Sequence, residues 1–376
     1  MRTPGRPTHT RGGAHAYGVL GIYERPHGAR LSFSIVPSAE GRRLRRLLLI
    51  VFLIALVLIL LAPLTSTDQA DSMGLPELVD RAQLRILTTI AMFVVLASAW
   101  NLVGGLTGYG SFGNVAFFGL GAYTCAVAVD THRLHLPLAI GIALAPVVPA
   151  VFAVLVGLPL LRLRGHYFAI ATLGTAVAVG EVVKNIEYLG GATGLFPPIL
   201  RRADLLFLYL MVAAAVIAVA VTRLVLRTRF GYGLIAIREN EDAAQVIGVN
   251  TTAHKVAAFA IAAALSGLAG GVFALWNSFI DQSLGFSLDF NIQMILMAVL
   301  GGAGTLFGPV MGAVVLELLI QVLAGRSDVA VYAQIGLGLL LAITVLFVPR
   351  GIVDFLGGSS RLSIAHLRRS LRETGV

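Results

Sequence analysis

The sequence predicts an all-α protein: a polytopic transmembrane helical bundle of about eight to ten membrane segments, some of them short or broken. Three observations predict it. Hydrophobic residues make up 57% of the 376 positions, and the mean hydropathy is +0.87. Charged residues are only 12%, where a soluble domain carries about 25%. The basic residues are sorted into alternate loops. The apolar content leaves room for about ten spans of roughly 20 residues. A soluble enzyme, a disordered chain and a nucleic-acid-binding domain are all poor fits. The net charge of +9 reads as orientation rather than affinity for DNA or RNA. The single cysteine, Cys125, excludes an intrachain disulfide or a cysteine metal cluster.

Residues 1–44 form a basic zone of Gly, Pro and Arg that reads as a disordered tail. It is followed by Leu47–Leu64, almost without polar atoms; an apolar run that starts so late and lacks a clear small-x-small cleavage site makes a cleaved signal peptide a poor fit. Further spans are expected at Leu84–Val103, Gly104–Val129, Leu136–Leu161, Tyr167–Leu189, Leu205–Val221 and Val256–Trp276. The short runs Ile292–Leu300 and Pro309–Val322 flank a glycine break at Gly301–Gly308. They read as half-helices meeting inside the protein or as one re-entrant hairpin, because such lengths fall short of a hydrocarbon core of about 30 Å. Val331–Val348 closes the membrane domain, 45–352, and 353–376 is a second tail. Each span must be helical, since open backbone in lipid leaves amides unpaired.

With the N-terminus inside, the inside segments hold 21 Lys and Arg residues and the outside segments six. The positive-inside rule then places both termini in the cytoplasm and the polar stretch Arg223–Lys255 with them.

No HExxH, phosphate loop or serine elbow is present, so no catalytic residues, metal ligands or cofactor are assigned. His132 and His135 read as loop residues. Active transport would therefore draw on a partner ATPase or an ion gradient. Glu181, Lys184 and Glu187 are spaced i, i+3 along one helix, as an ion triad or as a polar wall of a path. Glu317 stands alone in an apolar run and needs a cavity or a partner. The glycine-rich stretches "GGLTGYGSFGNVAFFGLGAY" and "GGAGTLFGPVMGAVVLEL" look distantly alike. Their glycines serve close helix packing, or they free amides at helix breaks for an anionic substrate group. Asn101, Tyr109, Ser111, Asn114 and Thr305 supply nearby side-chain donors. With Glu181 and Glu317 they form the candidate translocation path.

In the loop, apolar residues recur at helical spacing from Ile235 to Ile247, which predicts one amphipathic helix over Leu234–Ile247. Gly248 is a helix stop, and Asn250, Thr251 or Thr252 can cap the next helix. The polar face mixes Arg238 with Glu239, Glu241 and Asp242. An anionic lipid surface would favour a more basic face, so a protein partner fits better.

The stretches "SAWNLVGGLTGYGSFGNVAFFGLGAY", "LRLRGHYFAIATLG", "GGATGL", "RFGYGLIAIRENEDAAQVIGVNTTAHKVAAFAIAAALSGLAGGVFA", "MILMAVLGGAGTLFGPVMGA" and "LFVPRGI" occur in this order. In them the chain resembles the branched-chain amino acid ABC transporter permeases of LivM type, from about Asn101 to Ile352. The resemblance implies a non-catalytic permease of a bacterial inner membrane that imports leucine, isoleucine or valine by alternating access. Its implied partners are a second related permease, two cytoplasmic ATPase subunits and an extracytoplasmic binding protein. It also implies that the loop is the ATPase-docking element. The pattern Glu-Ala-Ala-x-x-x-Gly becomes Asp242-Ala243-Ala244-x-x-x-Gly248 here, which carries docking to Gly231, Arg238, Glu239, Asn240, Asp242, Ala243, Ala244 and Gly248. After "GGATGL" the outer loop is shorter than in many relatives. Permeases for urea or short-chain amides remain alternatives within the family. A self-contained ion-driven transporter and a membrane scaffold are alternatives outside it.

Overall fold

The computed structural model describes residues 81–200 and 203–324. The tails, the expected spans Leu47–Leu64 and Val331–Val348, and both termini lie outside the described residues. Twelve helices are described: α1 Arg81–Trp100, α2 Asn114–Val129, α3 Leu138–Leu144, α4 Val147–Leu160, α5 His166–Asn185, α6 Asp204–Arg227, α7 Arg229–Glu239, α8 Glu241–Val246, α9 Thr251–Asn277, α10 Gln282–Gly285, α11 Leu288–Gly301 and α12 Gly308–Ala324. Six segments among the described residues are long and apolar enough to cross a membrane, and Asn114–Val129 and Gly308–Gln321 are shorter apolar helices. The described part is an all-α bundle, with one isolated antiparallel bridge between Leu195 and Ile280.

Several expected elements differ in detail. The first described span does not stop at Val103: after α1 it widens into a π-helical turn over Asn101–Gly105. The expected span Gly104–Val129 is broken: helix ends at Thr107, Gly108 takes φ +75°, and helix resumes only at Asn114. The span Leu136–Leu161 divides at Ala145–Pro146, where the proline has no N–H to continue the ladder. α5 ends at Asn185. Glu187 therefore begins a separate 3-10 turn and leaves the face of Glu181 and Lys184. The amphipathic segment is two helices rather than one, parted by an extended Asn240.

α9 is the central post. It packs on α2, α4, α1 and α6. It crosses α2 where both carry glycine: a Cβ on Gly121 would meet the Gly267 backbone, and one on Gly270 would meet the Phe118 carbonyl. This close approach needs residues without side chains. Edge-to-face rings fill the rest, with Phe117 on Phe259 at 5.0 Å and Phe273 on Phe290 at 5.9 Å. The α1 span is 78% buried and the α3–α4 span 22% buried. That difference sets α1 inside the bundle and leaves the valines and leucines of α4 for lipid or a partner.

α11 and α12 form an antiparallel hairpin. A Cβ on Gly301 would lie 2.9 Å from the Gly312 nitrogen, and one on Gly312 would strike the Met297 carbonyl. The first arm of the hairpin is not short, as both readings of this region assumed: it reaches back through α10 to a 20-residue apolar segment, Gln282–Gly301, long enough to cross a membrane. Its turn lies at the end of the bundle that also holds α7, α8 and the α4–α5 turn. We call this the near end. The Leu195–Ile280 bridge marks the far end.

Candidate functional site

The near end is built from the loop upward. α7 starts hard against α6, because a Cβ on Gly231 would meet the Val225 carbonyl. Its Leu234 and Ile237 are buried, and Phe230 stacks on His254 at 5.2 Å. Asn240 then turns the chain, and its side chain accepts the Ala243 N–H at 3.0 Å to cap α8. Gly248 closes α8 at φ +89°. Its N–H bonds the Gln245 carbonyl and the Val249 N–H bonds the Ala244 carbonyl, a Schellman motif. Asn250 caps α9 through the Ala253 N–H.

α8 has two faces. Ala244 is buried, whereas Asp242 and Ala243 are exposed. Val246 is 87% exposed and Ile247 74%. The apolar spacing that predicted a helix here suggested that these two would pack inward. Instead they stand free beside Ala243, because the Asn240 break rotates α8 relative to α7. Sequence reasoning missed them as surface residues. A capping Asn inside the apolar period was the signal.

The inner face of the loop is held by an ion network. Lys255 is 5% exposed at its side chain and Glu241 12%, and their Nζ–Oε1 distance is 2.6 Å. The Tyr109 hydroxyl donates to the other Glu241 oxygen. Lys255 also donates to the Leu161 carbonyl at 3.0 Å and lies 4.5 Å over the Tyr109 ring. Arg164 binds Asp242 at 3.0 Å, which raises the guanidinium pKa. Burial works against the charged Glu241 carboxylate. Its hydrogen bonds from Lys255 and Tyr109, and the charges of Lys255 and Arg164, outweigh that and hold its pKa below the usual range. Burial and the Glu241 bond push the Tyr109 phenol up. Three separate parts of the chain, the stretch between α1 and α2, the α4–α5 turn and α9, thus meet on α8. Sequence reading set Glu241 on the exposed polar face of the loop and assigned Lys255 and Arg164 to no site, because a charge in a loop looks solvated until its partners are placed; Glu241 instead faces inward to Lys255.

A second knot lies beside it. Arg238 donates to the Gly105 carbonyl at 2.7 Å. Asn101 is buried. It donates to the Thr305 carbonyl at 2.9 Å and accepts the Gly304 N–H at 2.6 Å. Thr305 Oγ1 donates to Gly302 and accepts the Gly308 N–H at 3.0 Å, which caps α12. The π turn after α1 and the hairpin turn are therefore one unit.

The other candidate path residues do not form a single lining. Tyr109 belongs to the ion network. Ser111 gives its carbonyl to Trp100 Nε1 at 2.8 Å and its hydroxyl oxygen to the Gly113 N–H. Asn114 is buried with neither side-chain polar atom bonded, and the Asn291 Oδ1 is likewise unpartnered. The Asn291 amide reaches Phe112 at 2.7 Å, so both asparagines border the same turn. Glu181 is exposed toward the far end. Glu317 is buried in α12 and accepts from Gln321 at 2.8 Å. At the far end Lys184, Gly191, Asp281, Gln282 and Ser283 line an open polar cleft. His132 and His135 lie in the nearby turn, where Asp130 is engaged by Arg133 at 2.6 Å and by the His132 N–H.

A bundle of apolar spans around a hairpin turn, with a short helix bolted to one end, is the architecture of a polytopic membrane protein. The family model for the branched-chain amino acid transport system permease component matches residues 83–348, and the chain belongs to that family. It is 29% identical over 354 residues to the high-affinity branched-chain amino acid transport system permease protein LivM of Salmonella typhimurium LT2, which covers 85% of this chain and 77% of the relative. The Escherichia coli K12 LivM protein is 28% identical over the same shares. The autoinducer 2 import system permease LsrC of Salmonella typhi is 31% identical over 29% of this chain and 32% of its own. No solved structure gives a significant match. The chain is a multi-pass membrane protein of an ABC-type transport system.

Proposed function

We propose that this protein is the permease subunit of an ATP-driven importer for leucine, isoleucine and valine. It forms half of a path completed by a second, related permease. The near end faces the cytoplasm, as do both termini, and the membrane is a bacterial inner membrane. Two ATPase subunits dock on α7–α8, and an extracytoplasmic binding protein delivers substrate to the far end. The chain itself carries no chemistry. ATP binding closes the ATPase pair and α8 moves with it. The inner gate then shuts and the outer one opens.

The observation that carries this reading is the exposed pair Val246 and Ile247 beside Ala243 on a helix that is otherwise pinned by ion pairs. Two large apolar side chains standing free at the tip of a polar loop suit a protein groove. The pinned inner face gives a docked partner something rigid to move. The LivM relatives favour branched-chain amino acids over urea and amides.

The test uses the permease co-expressed with its partner subunits and reconstituted in vesicles. The wild type is expected to take up labelled leucine in an ATP-dependent way that excess valine inhibits and urea does not. Val246→Glu or Ala243→Glu is expected to insert normally and to lose the co-purifying ATPase. Retention of the ATPase and of full substrate-stimulated hydrolysis in both variants would remove this loop from coupling. Uptake that persists without ATP and collapses with the proton or sodium gradient would establish the ion-driven alternative.

A further inference from the structure

The docking role that the family pattern lends to Arg238 conflicts with where its side chain goes. Arg238 is exposed on the loop, yet its guanidinium is already engaged. It reaches into the bundle to the Gly105 carbonyl at 2.7 Å, at the end of the π turn. The same group borders the hairpin turn: a side chain on Gly304 would collide with Arg238 Nη1. A Cβ on Gly108 would lie 3.3 Å from Arg238 Cγ. Three backbone turns, at Gly105, Gly108 and Gly304, thus close around one arginine. Gly108 and Gly304 hold positive φ, +75° and +83°, so the turns are shaped to admit it. Asn101 ties the first to the third through Gly304 and Thr305.

We propose that Arg238 is a positioning residue that transmits movement of the coupling loop to the two glycine breaks. This rests on the coupling function proposed above. Arg238 lies in the last turn of α7, two residues before the Asn240 hinge. Any displacement of α8 about that hinge pulls on α7 and so on the Gly105 carbonyl. The carbonyl sits in a π turn, whose widened ring leaves the last residues of α1 loosely bonded. Through Asn101 the pull reaches Gly304 and Thr305, and Thr305 caps α12. A charged, forked donor suits this link, because it holds a carbonyl more firmly than a neutral one would. The two glycine breaks then shift together as the loop moves.

The experiment compares wild type, Arg238→Ala and Arg238→Lys as full-length permease in nanodiscs, alone and with the ATPase subunits. Amide hydrogen exchange, co-purification, stimulated ATP hydrolysis and leucine uptake are measured. In Arg238→Ala, amides over 103–108 and 302–308 are expected to exchange about tenfold faster, the scale of a lost charged hydrogen bond. Those of α2 should be unchanged, which shows that the bundle is folded. The ATPase should co-purify at wild-type level while uptake falls about tenfold. Arg238→Lys should recover part of both the protection and the uptake. Unchanged exchange at the two breaks, loss of the ATPase, or wild-type uptake in Arg238→Ala would each overturn the proposal. A wild-type permease that binds no ATPase would instead refute the coupling function, while the exchange measurement on the permease alone still reads the Arg238 link.

Discussion

Glycine does opposite work in two regions of this bundle. At the α2–α9 crossing, Gly121, Gly267 and Gly270 sit in regular helix and touch backbone. Their missing side chains are the contact. At the near end, Gly108, Gly302 and Gly304 carry positive φ and end regular structure. Their neighbours are polar: Arg238, Asn101 and Thr305. The first set fixes two helices relative to one another by dispersion over a close fit, which has one good arrangement. The second set depends on a few hydrogen bonds to backbone groups freed from helix, and such bonds can be exchanged. The crossing reads as a fixed hub and the breaks as the part able to move. Of the two readings of the glycine-rich sequence, close packing describes the crossing; at the breaks the Gly304 and Gly308 amides are taken by Asn101 and Thr305.

The largest effect should come from breaking the hub. In Gly121→Leu the added side chain meets the Gly267 backbone, which cannot yield as a side-chain tip would. Overpacking costs about 1–3 kcal/mol where neighbours can adjust, and more is expected here. The variant should give little monodisperse protein in detergent, and what survives should melt well below wild type. Gly110→Ala, which meets nothing within 4 Å, should behave as wild type. Equal behaviour of the two variants would show that the crossing is not a close fit.

Next in size is the ion network on α8. Lys255→Met leaves the Glu241 carboxylate without its closest cation. Losing one partner of a buried pair costs about 3–5 kcal/mol, and the slight exposure of Glu241 places this at the lower end. The loss is local to α8. A spin label at Val246, with Cys125 replaced, should become mobile in Lys255→Met while the melting of the bundle changes little. The same label reads the pH dependence. Because the Glu241 pKa is lowered in the folded chain, its contribution is fully present above the ordinary carboxylate value of about 4.3. It is lost as pH falls through the lowered folded value. The label should therefore stay immobile from pH 8 to 5 and loosen only below the ordinary value. Loosening between pH 5 and 7 would contradict the assignment.

Smaller again is Gly304→Ala. An alanine at positive φ costs about 1–2 kcal/mol, and its Cβ displaces the Arg238 guanidinium. Uptake should fall several-fold with the fold retained, where a substitution at the crossing removes both. Equal loss of fold and uptake would erase the distinction between the two regions.

The membrane class, most span positions, the Asn250 cap and the Gly248 stop were legible because each rests on local chemistry: apolar length, a side chain that bonds its own backbone, a residue free at positive φ. The break at Asn240 was hidden because the apolar period runs through it, and period outweighed one capping residue. The partition of the α5 charges failed for a similar reason. Spacing assumes that the helix continues, and α5 ends at Asn185. The near-end networks were not legible at all. Asn101 and Gly304 are about two hundred residues apart in sequence, and Tyr109 and Glu241 more than a hundred. Nothing local in a sequence says which distant carbonyl an arginine or an asparagine will find.

The smallest predicted effect concerns a glycine that belongs to neither set. Gly174 lies in the middle of α5, with no atom within 4 Å of where a Cβ would stand. It holds no positive φ and packs on nothing, so neither the hub argument nor the break argument explains it. Glycine in a helix interior is less favourable than alanine by about 1 kcal/mol, through the backbone freedom it loses on folding. Gly174→Ala should then stabilise the protein slightly, raising the melting temperature by about 1–3 °C for a chain of this size, and should leave uptake unchanged. The measurement sharpens the comparison because α5 exposes Tyr167, Ile170, Val177 and Glu181 along its outward side. Glu181 is a poor neighbour for lipid, so this side of α5 faces water or protein in the assembled transporter. If the melting temperature rises while uptake falls, a methyl group at 174 meets something absent from the isolated chain. Gly174 would then join the close-packing glycines, with the second permease or the substrate as its contact.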